Sequence, residues 1–473
     1  MELINSDHKA LIKLVKFYEE QHKKRDLSFF DADDLNQIID YYISRKEIGK
    51  ALKCTGKALE LFSNDSRLII KGVRLYIDSF DYETAFDVLE KSELSMRTNP
   101  DFWIIYAEAC AAEGDYDAAI DYLKTAIEYS SSSVSVIHFK LAQAFAELQD
   151  NEHAFNYYRK ALREQPENQE FLLHFADFCE NTKWENELIL FFERLVNKEP
   201  YSHILWNNLA ILYHYFEQNE EAFRAIDISL ALKEDNAETH FLLADFKSEN
   251  RDYHEAVTSY LTAIKYGKSD LIVYLQLGLT CIQIGEYDDA DHFLRKGIEL
   301  DPADSQCWYA LGLCYASREL YKTAIPFYEK AISLFEYDDR FWHELAISYS
   351  CIENFAKATT SFQQAIDINP FNTDAVIDYC LFLHDHHKTE DAIYQALEAL
   401  GISEDIDQIQ YLLAGLYFGS GESDIAKKHL KEALLTNPSN TEYFFEFFPE
   451  LKENPSVCSL VNQFDIITGD FTK

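Results

Sequence analysis

The sequence predicts an all-α protein in which helical hairpins stack into a solenoid, and three observations predict it. Residue types recur at intervals of 34 over most of the 473 residues. Small side chains return to fixed places within each interval. Gly and Pro are scarce, at 14 and 9, which argues against loop-rich and all-β folds. Hydrophobic residues make up 47% and aromatics 15%, enough for a large core, so wholesale disorder is excluded.

The interval is visible by direct comparison. Trp308, Leu311, Gly312 and Tyr315 are followed by Ala324, Tyr328 and Ala331. Thirty-four residues on, Trp342, Leu345, Ala346 and Tyr349 are followed by Ala358, Phe362, Ala365 and Pro370. Stepping in both directions gives twelve units: 32–65, 66–99, 100–133, 135–168, 169–202, 203–236, 237–270, 271–304, 305–338, 339–372, 373–406 and 407–440. One residue breaks the phase, in the serine run just before Val134. From Ser135 to Asn440 the phase holds for 306 residues, which is nine intervals.

Small positions support the same register. The twentieth residue of a unit is alanine in eleven of twelve, from Ala51 through Ala119 and Ala222 to Ala426, with Leu188 the exception. The eighth is small in ten of twelve, among them Ala107, Ala210, Gly278, Gly312 and Ala414. These two sites are expected to face each other where the helices of a unit cross, a place that tolerates little beyond a methyl group. Larger residues such as Trp206, Leu209, Tyr213 and Ile226 fill the core around them at the spacing of a helix face. Gly114, Gly285 and Gly421 fall at position fifteen, in the turn between helices. Pro166, Pro200, Pro302, Pro370 and Pro438 fall at position thirty-two, where the second helix must stop. Pro326 lies inside a second helix and is expected to kink it.

The spacing W-x2-L-G-x2-Y…A-x3-F…A…P over residues 32–440 resembles the tetratricopeptide repeat, a hairpin unit that buries its faces only by stacking. The resemblance implies a right-handed α-solenoid whose first helices line a concave groove, with positions two, five and nine pointing into it. Read at those positions, the first half is acidic: Asp33, Asp40, Asp101, Glu108, Glu170, Asp177, Glu238 and Asp245, interrupted by Arg67 and Arg74. The second half is apolar: Ile272, Leu275, Leu279, Tyr309, Leu313, Ile347, Ile377, Leu381 and Tyr411. Left exposed, such a run would be a patch larger than a monomer normally shows to water. A partner segment, a second copy, or the chain's own C-terminus is expected to cover it. Two known groove types do not match. Positions five and nine lack the Lys/Asn/Arg clamp of chaperone-tail binders, and position six, from Gln37 to Leu242, holds one asparagine, Asn208, rather than a ladder.

The ends differ from the units. Residues 1–31 carry six acids and six bases. A helix is expected over about 7–22, with Leu11, Leu14, Val15 and Tyr18 on one face and Lys9, Lys13 and Lys16 on the other. It reads as an N-terminal cap, or else as a docking helix for an acidic partner. Residues 441–473 open with the aromatic run Tyr443-Phe444-Phe445-Glu446-Phe447-Phe448. They read as a C-terminal cap with a second use in self-association or docking. In unit five, Leu188 and Leu195 replace small residues, and bulk there should force a local change of pitch over 169–202.

Charge and motifs bound the function. Eighty-two acids against 43 bases give −39, a surface that repels phosphate backbones and anionic lipid. No direct nucleic-acid binding and no membrane insertion are expected. No phosphate-binding loop, zinc-protease or nucleophile-elbow motif appears, so no catalytic residue, metal or cofactor is assigned. The one ligand-like cluster, His384-Asp385-His386-His387, reads as an exposed polar turn, with a shared metal at His384 and His387 as the alternative. The nine scattered cysteines include no CxxC pair and suggest reduced thiols of a cytoplasmic protein. Trp103, Trp206, Trp308 and Trp342 are core by register. The sequence thus predicts a non-enzymatic cytoplasmic scaffold that binds a protein segment, basic toward one end and hydrophobic toward the other. The alternatives are a self-associating structural protein, possible as a homo-oligomer, and a metal-binding protein or enzyme.

Overall fold

In the computed structural model residues 2–24, 29–131, 134–402 and 406–469 are described, with side chains from 11 to 464 within those ranges. Among them all regular structure is helical. Helix α1 (Glu2–Lys24) precedes twelve antiparallel pairs. These are α2 (Ala32–Ser44) with α3 (Ile48–Leu61), α4 (Ser66–Asp78) with α5 (Tyr82–Met96), α6 (Pro100–Glu113) with α7 (Tyr116–Tyr129), and α8 (Ser135–Glu147) with α9 (Asn151–Glu164). Next come α10 (Gln169–Thr182) with α11 (Glu185–Lys198), α12 (His203–Tyr215) with α13 (Asn219–Leu232), α14 (Ala237–Glu249) with α15 (Tyr253–Lys265), and α16 (Leu271–Gln283) with α17 (Tyr287–Leu300). The last are α18 (Ser305–Ala316) with α19 (Tyr321–Leu334), α20 (Asp339–Cys351) with α21 (Phe355–Ile368), α22 (Thr373–Asp385) with α23 (Thr389–Leu400), and α24 (Ile406–Gly419) with α25 (Ser423–Thr436). Two short helices, α26 (Thr441–Phe447) and α27 (Pro455–Gly469), follow. The chain divides into two compact units, Met1–Lys233 and Glu234–Lys473. Within each, every helix packs on its chain neighbours as in an α-solenoid.

The residue before ten of the twelve first helices explains where they begin. Asp31, Asp65, Asn99, Asn168, Ser202, Asn236, Asp270, Asp304, Asp338 and Asn372 each accept a first-turn backbone N–H through the side chain. Each such cap contributes about 1 kcal/mol. The turn within each pair also repeats. Position fifteen takes a left-handed φ at Gly114, Gly285 and Gly421, and equally at Lys46, Phe80, Gln149, Lys183, Glu217, Arg251, Glu319, Glu353 and His387. The fold imposes this conformation on side chains that carry a steric cost of about 1–2 kcal/mol there.

Packing explains the small positions. The twentieth residues are buried throughout, Leu188 included. The eighth residue is confronted chiefly by position twenty-four rather than twenty: a Cβ on Gly278 would lie 2.6 Å from Leu294, and one on Gly312 2.5 Å from Tyr328. At position twenty-seven, a Cβ on Gly297 would meet Cys307 Sγ of the next unit at 2.8 Å. The fourth position closes the joint between units. The indole N–H groups of Trp103, Trp206, Trp308 and Trp342 reach the carbonyls of Arg97, Pro200, Pro302 and Glu336, at 2.8 to 3.0 Å. Seven of the nine cysteines are buried as small core residues, Cys351 and Cys458 being the others. Helix α19 runs unbroken through Pro326.

The irregular places behave individually. Helices α10 and α11 pack least closely of the twelve pairs, as bulk at Leu188 and Leu195 requires. Ser132 and Ser133 of the phase-breaking run lie outside the described residues. Beside them the Val134 N–H donates to Glu164 Oε2 at 3.1 Å. At the start, Val15 and Tyr18 of α1 are buried with Phe30, Leu35 and Ile38, while Lys13 and Lys16 face solvent. Lys9 falls outside the described side chains. At the end, Phe444, Phe448, Leu451 and Val457 join one core with Ile377, Tyr411 and Leu412. Phe448 fits only because residue 415 is glycine: a Cβ there would lie 2.0 Å from its ring.

Two stability changes follow. Ala210 is fully buried at an eighth position, so Ala210→Leu is expected to cost roughly 1–3 kcal/mol by overpacking, read as a lower urea midpoint. Phe80, 81% exposed with φ of 58°, loses its strain on replacement. Phe80→Gly is expected to raise stability by about 1 kcal/mol, and an unchanged or lower midpoint would contradict the turn geometry.

Candidate functional site

The first helices of each unit carry the residues singled out at positions two, five and nine. In Met1–Lys233 three of the six acids are held in ion pairs. Asp33 pairs with Arg67 at 2.6 Å and Asp40 with Lys71 at 2.6 Å, while Glu108 receives both Arg74 at 3.1 Å and Lys140 at 2.9 Å. Each partner lies about one repeat away in the chain, so the 34-residue period itself brings opposite charges together. Exposed pairs contribute little singly, but four in series neutralise much of the face. Arg67 and Arg74, read as interruptions, are counter-ions. Asp101 and Glu170 are exposed, and Asp177 accepts from the Asn181 side chain at 3.3 Å.

In Glu234–Lys473 the face begins with two acids. Glu238 is held by Lys268 at 2.8 Å. Asp245 is half-buried and accepts the Tyr260 hydroxyl at 2.5 Å. Burial raises the Asp245 carboxyl to about 6; the Tyr260 hydrogen bond opposes this, while Glu249 and Glu238 add to it. Beyond them Ile272 is 55% exposed, and Leu275, Leu279, Tyr309, Leu313 and Ile347 are half-buried. Tyr309 packs on Phe341 with ring centroids 4.8 Å apart, and the Arg340 guanidinium lies 5.8 Å above it.

The apolar run does not stay open to its end. Ile377 and Tyr411 are buried, at 3% and 1% exposure, and Leu381 packs against the same core as Phe444 and Phe448. The Tyr411 hydroxyl donates to the Asn437 carbonyl at 3.0 Å and meets Thr441 at 3.2 Å. Ile377 and Tyr411 are therefore buried core residues rather than ligand-facing ones, and Tyr411 lies against Thr441 and Phe444 of the C-terminal segment. The apolar residues that stay at least partly accessible are Ile272, Leu275, Leu279, Tyr309, Leu313, Ile347 and Leu381.

The histidine cluster is dispersed by its contacts. His384 Nδ1 meets the Thr389 hydroxyl at 3.0 Å and its ring lies edge-on to Phe448. His386 Nδ1 donates to the Phe382 carbonyl at 2.8 Å. His387 is the left-handed turn residue. Among the described residues no group of three or more His, Cys, Asp or Glu side chains is placed to share a metal ion.

Two features escaped the sequence reading. The cap residues at position thirty-four show a plain Asp/Asn/Ser pattern that a scan of that column reveals. Glu344, at position six, is a half-buried carboxylate in the apolar stretch. Burial raises its pKa, His343 opposes, and Asp378 adds to the rise. Reading position six beyond Leu242 would have found it.

The architecture defines an α-hairpin repeat protein. A model of the tetratricopeptide repeat matches residues 100–133, 136–168, 271–304 and 305–338, and the chain carries tetratricopeptide repeats. A curated relative, anaphase-promoting complex subunit 3 of Schizosaccharomyces pombe, is 22% identical over 176 residues, which cover 37% of this chain and 26% of the relative. The APC/C hetero-tetramer Cut9-Hcn1 crystal structure is 15% identical, with a TM-score of 0.42 over 85% of this chain and 94% of that one. The structure of YrrB, a TPR protein with an unusual peptide-binding site, is 20% identical, with a TM-score of 0.34 over 39% and 95%.

Asp245 makes stability depend on pH in a stated direction. Its folded value lies above the ordinary carboxylate value, so the folded state holds this proton more tightly than the unfolded one. Its contribution is fullest below the ordinary range and is lost as pH rises through about 6. Asp245→Asn, which keeps an acceptor for Tyr260, is expected to gain relative stability between pH 4 and pH 7. Parallel urea titrations check this, and a constant difference across the range would contradict it.

Proposed function

We propose that the chain is a non-enzymatic scaffold that holds a segment of another protein against the first helices of residues 234–473. The hydrophobic part of the segment lies on Ile272, Leu275, Leu279, Tyr309, Leu313 and Ile347, and its basic end approaches Glu238 and Asp245. The observation that carries this reading is the contiguous set of apolar side chains left accessible on successive first helices, with Ile272 over half exposed. Water contact there is costly, and a partner helix or strand relieves it. Half-buried Glu344 supplies a second anchor for a basic side chain. The Lys268 partner of Glu238 means that charge contributes less than apolar contact, so residence time rather than encounter rate dominates affinity.

Seven buried free cysteines support a cytoplasmic location, where thiols stay reduced; among the described residues no helix is long and apolar enough to cross a membrane. The name of the fission-yeast relative makes it one subunit of a larger complex, a setting that suits a scaffold of this kind. Self-association through the C-terminal aromatics has less support, because Phe444 and Phe448 are buried in their own chain while Tyr443 is 53% exposed.

The double substitution Ile272→Asp with Leu279→Asp is expected to lower partner recovery at least about tenfold. Its circular dichroism and melting behaviour should stay close to the parent. Equal recovery of the same partners by a folded double variant would end the proposal.

A further inference from the structure

A second surface, remote in sequence from the apolar run, carries the opposite charge. A cleft of about 780 Å³ opens between α9 and α11, the second helices of adjacent units, with the start of α12 at its edge. In a chain with almost twice as many acids as bases, this cleft is lined by Arg159, Arg163, Arg194 and Lys198. Among the described residues no carboxylate forms an ion pair with any of them, although most other arginines are paired.

The guanidinium groups converge. Arg159 lies 4.9 Å and Arg163 5.5 Å from the ring centroid of buried Phe191, and Arg159 also stands 5.9 Å from Phe155. Aromatic faces hold the cations in place without neutralising them. Arg159 Nε is buried with no hydrogen-bond acceptor among the described residues, while Nη1 donates to Asn156 Oδ1 at 3.4 Å. Burial lowers the Arg159 pKa, and Arg163 and Arg194 lower it further, so the three repel one another until an anion joins them. The two acids that line the same cleft, Glu187 and Glu199, would repel an extended Asp/Glu-rich strand. A single compact dianion meets the arginines and avoids both.

We propose that this cleft binds a phosphorylated serine or threonine of a partner protein, with Arg159, Arg163 and Arg194 on the phosphate oxygens and Leu190, which is exposed, beneath the flanking residues. Arginine suits this task because its planar fork forms paired hydrogen bonds to phosphate oxygens. Leu195, one of the two leucines that set unit five apart from the repeat, lines the same cleft. Free inorganic phosphate has the same chemistry but leaves the apolar rim of the cleft unused.

The test uses the full chain and a fluorescein-labelled degenerate peptide pool with a central phosphoserine, read by fluorescence anisotropy. The pool is expected to bind at least about tenfold more tightly than matched pools with serine or glutamate at the centre, and more weakly as salt rises. Arg159→Gln and Arg194→Gln should each weaken it at least about fivefold. Glu187→Gln should strengthen it, an effect that damage to the fold would not produce. Equal binding of the phosphoserine and serine pools overturns the proposal, as does equal binding of the glutamate pool. Inorganic phosphate bound as tightly as the phosphoserine pool would overturn the assignment to a protein partner.

Discussion

Two helices can approach to within the width of a methyl group only where nothing larger projects between them, and this chain meets that condition once per repeat. Alanine or glycine at positions eight, twenty and twenty-seven lets position twenty-four of the same unit and position three of the next fill the gap, as Gly312 with Tyr328 and Gly297 with Cys307 demonstrate. Everything else rests on that closeness. The turn that joins each pair holds nine ordinary side chains in a left-handed conformation, Lys183 of the loosest pair included. The close approach aligns first helices so that residues one repeat apart become lateral neighbours. Where the condition fails, at Leu188 and Leu195, the pair α10 and α11 packs least closely.

The acidity of the chain looks like a property of its surface and is partly a property of its helices. Asp31, Asp65, Asp270, Asp304 and Asp338 sit at the N-termini of first helices, where the backbone donors and the helix dipole favour negative charge. Asp65 and Asp338 show the effect. Burial works against their ionised forms, but backbone N–H groups and neighbouring Arg67 and Arg340 hold both below the ordinary carboxylate range. Their contribution is present at neutral pH and lost on acidification, the reverse of Asp245. Further acids are spent on Arg67, Lys71, Arg74 and Lys140. A net charge of −39 therefore overstates what a basic ligand would meet on residues 1–233.

How much could be read beforehand depended on whether a feature repeats. The helix starts at Ala32, Ser66, Pro100 and onward, the burial of Ala119, Ala222 and Ala426, and the turn at position fifteen were legible because twelve copies average out the noise. The caps at position thirty-four were equally legible and went unread. Non-repeating features were not legible in the same way. That Tyr411 and Ile377 lie under Phe444 and Phe448 depends on how residues 441–457 fold back, which no periodicity encodes. The gathering of Arg159, Arg163 and Arg194 is invisible along the chain because Arg194 comes from the next helix pair, and only the packing of α11 beside α9 brings them to one cleft.

The central claim is that side-chain width at the small positions sets how tightly each hairpin closes. Amide hydrogen exchange resolved along the whole chain under native conditions measures this directly, since loosely packed pairs open locally at lower free energy. The account predicts slow exchange at the crossing residues around Ala119, Ala222, Ala256, Ala324 and Ala358, with the fastest exchange of any internal hairpin over residues 169–198. Protection of that hairpin equal to its neighbours, or a weakest hairpin among those with alanine at the crossing, would contradict it.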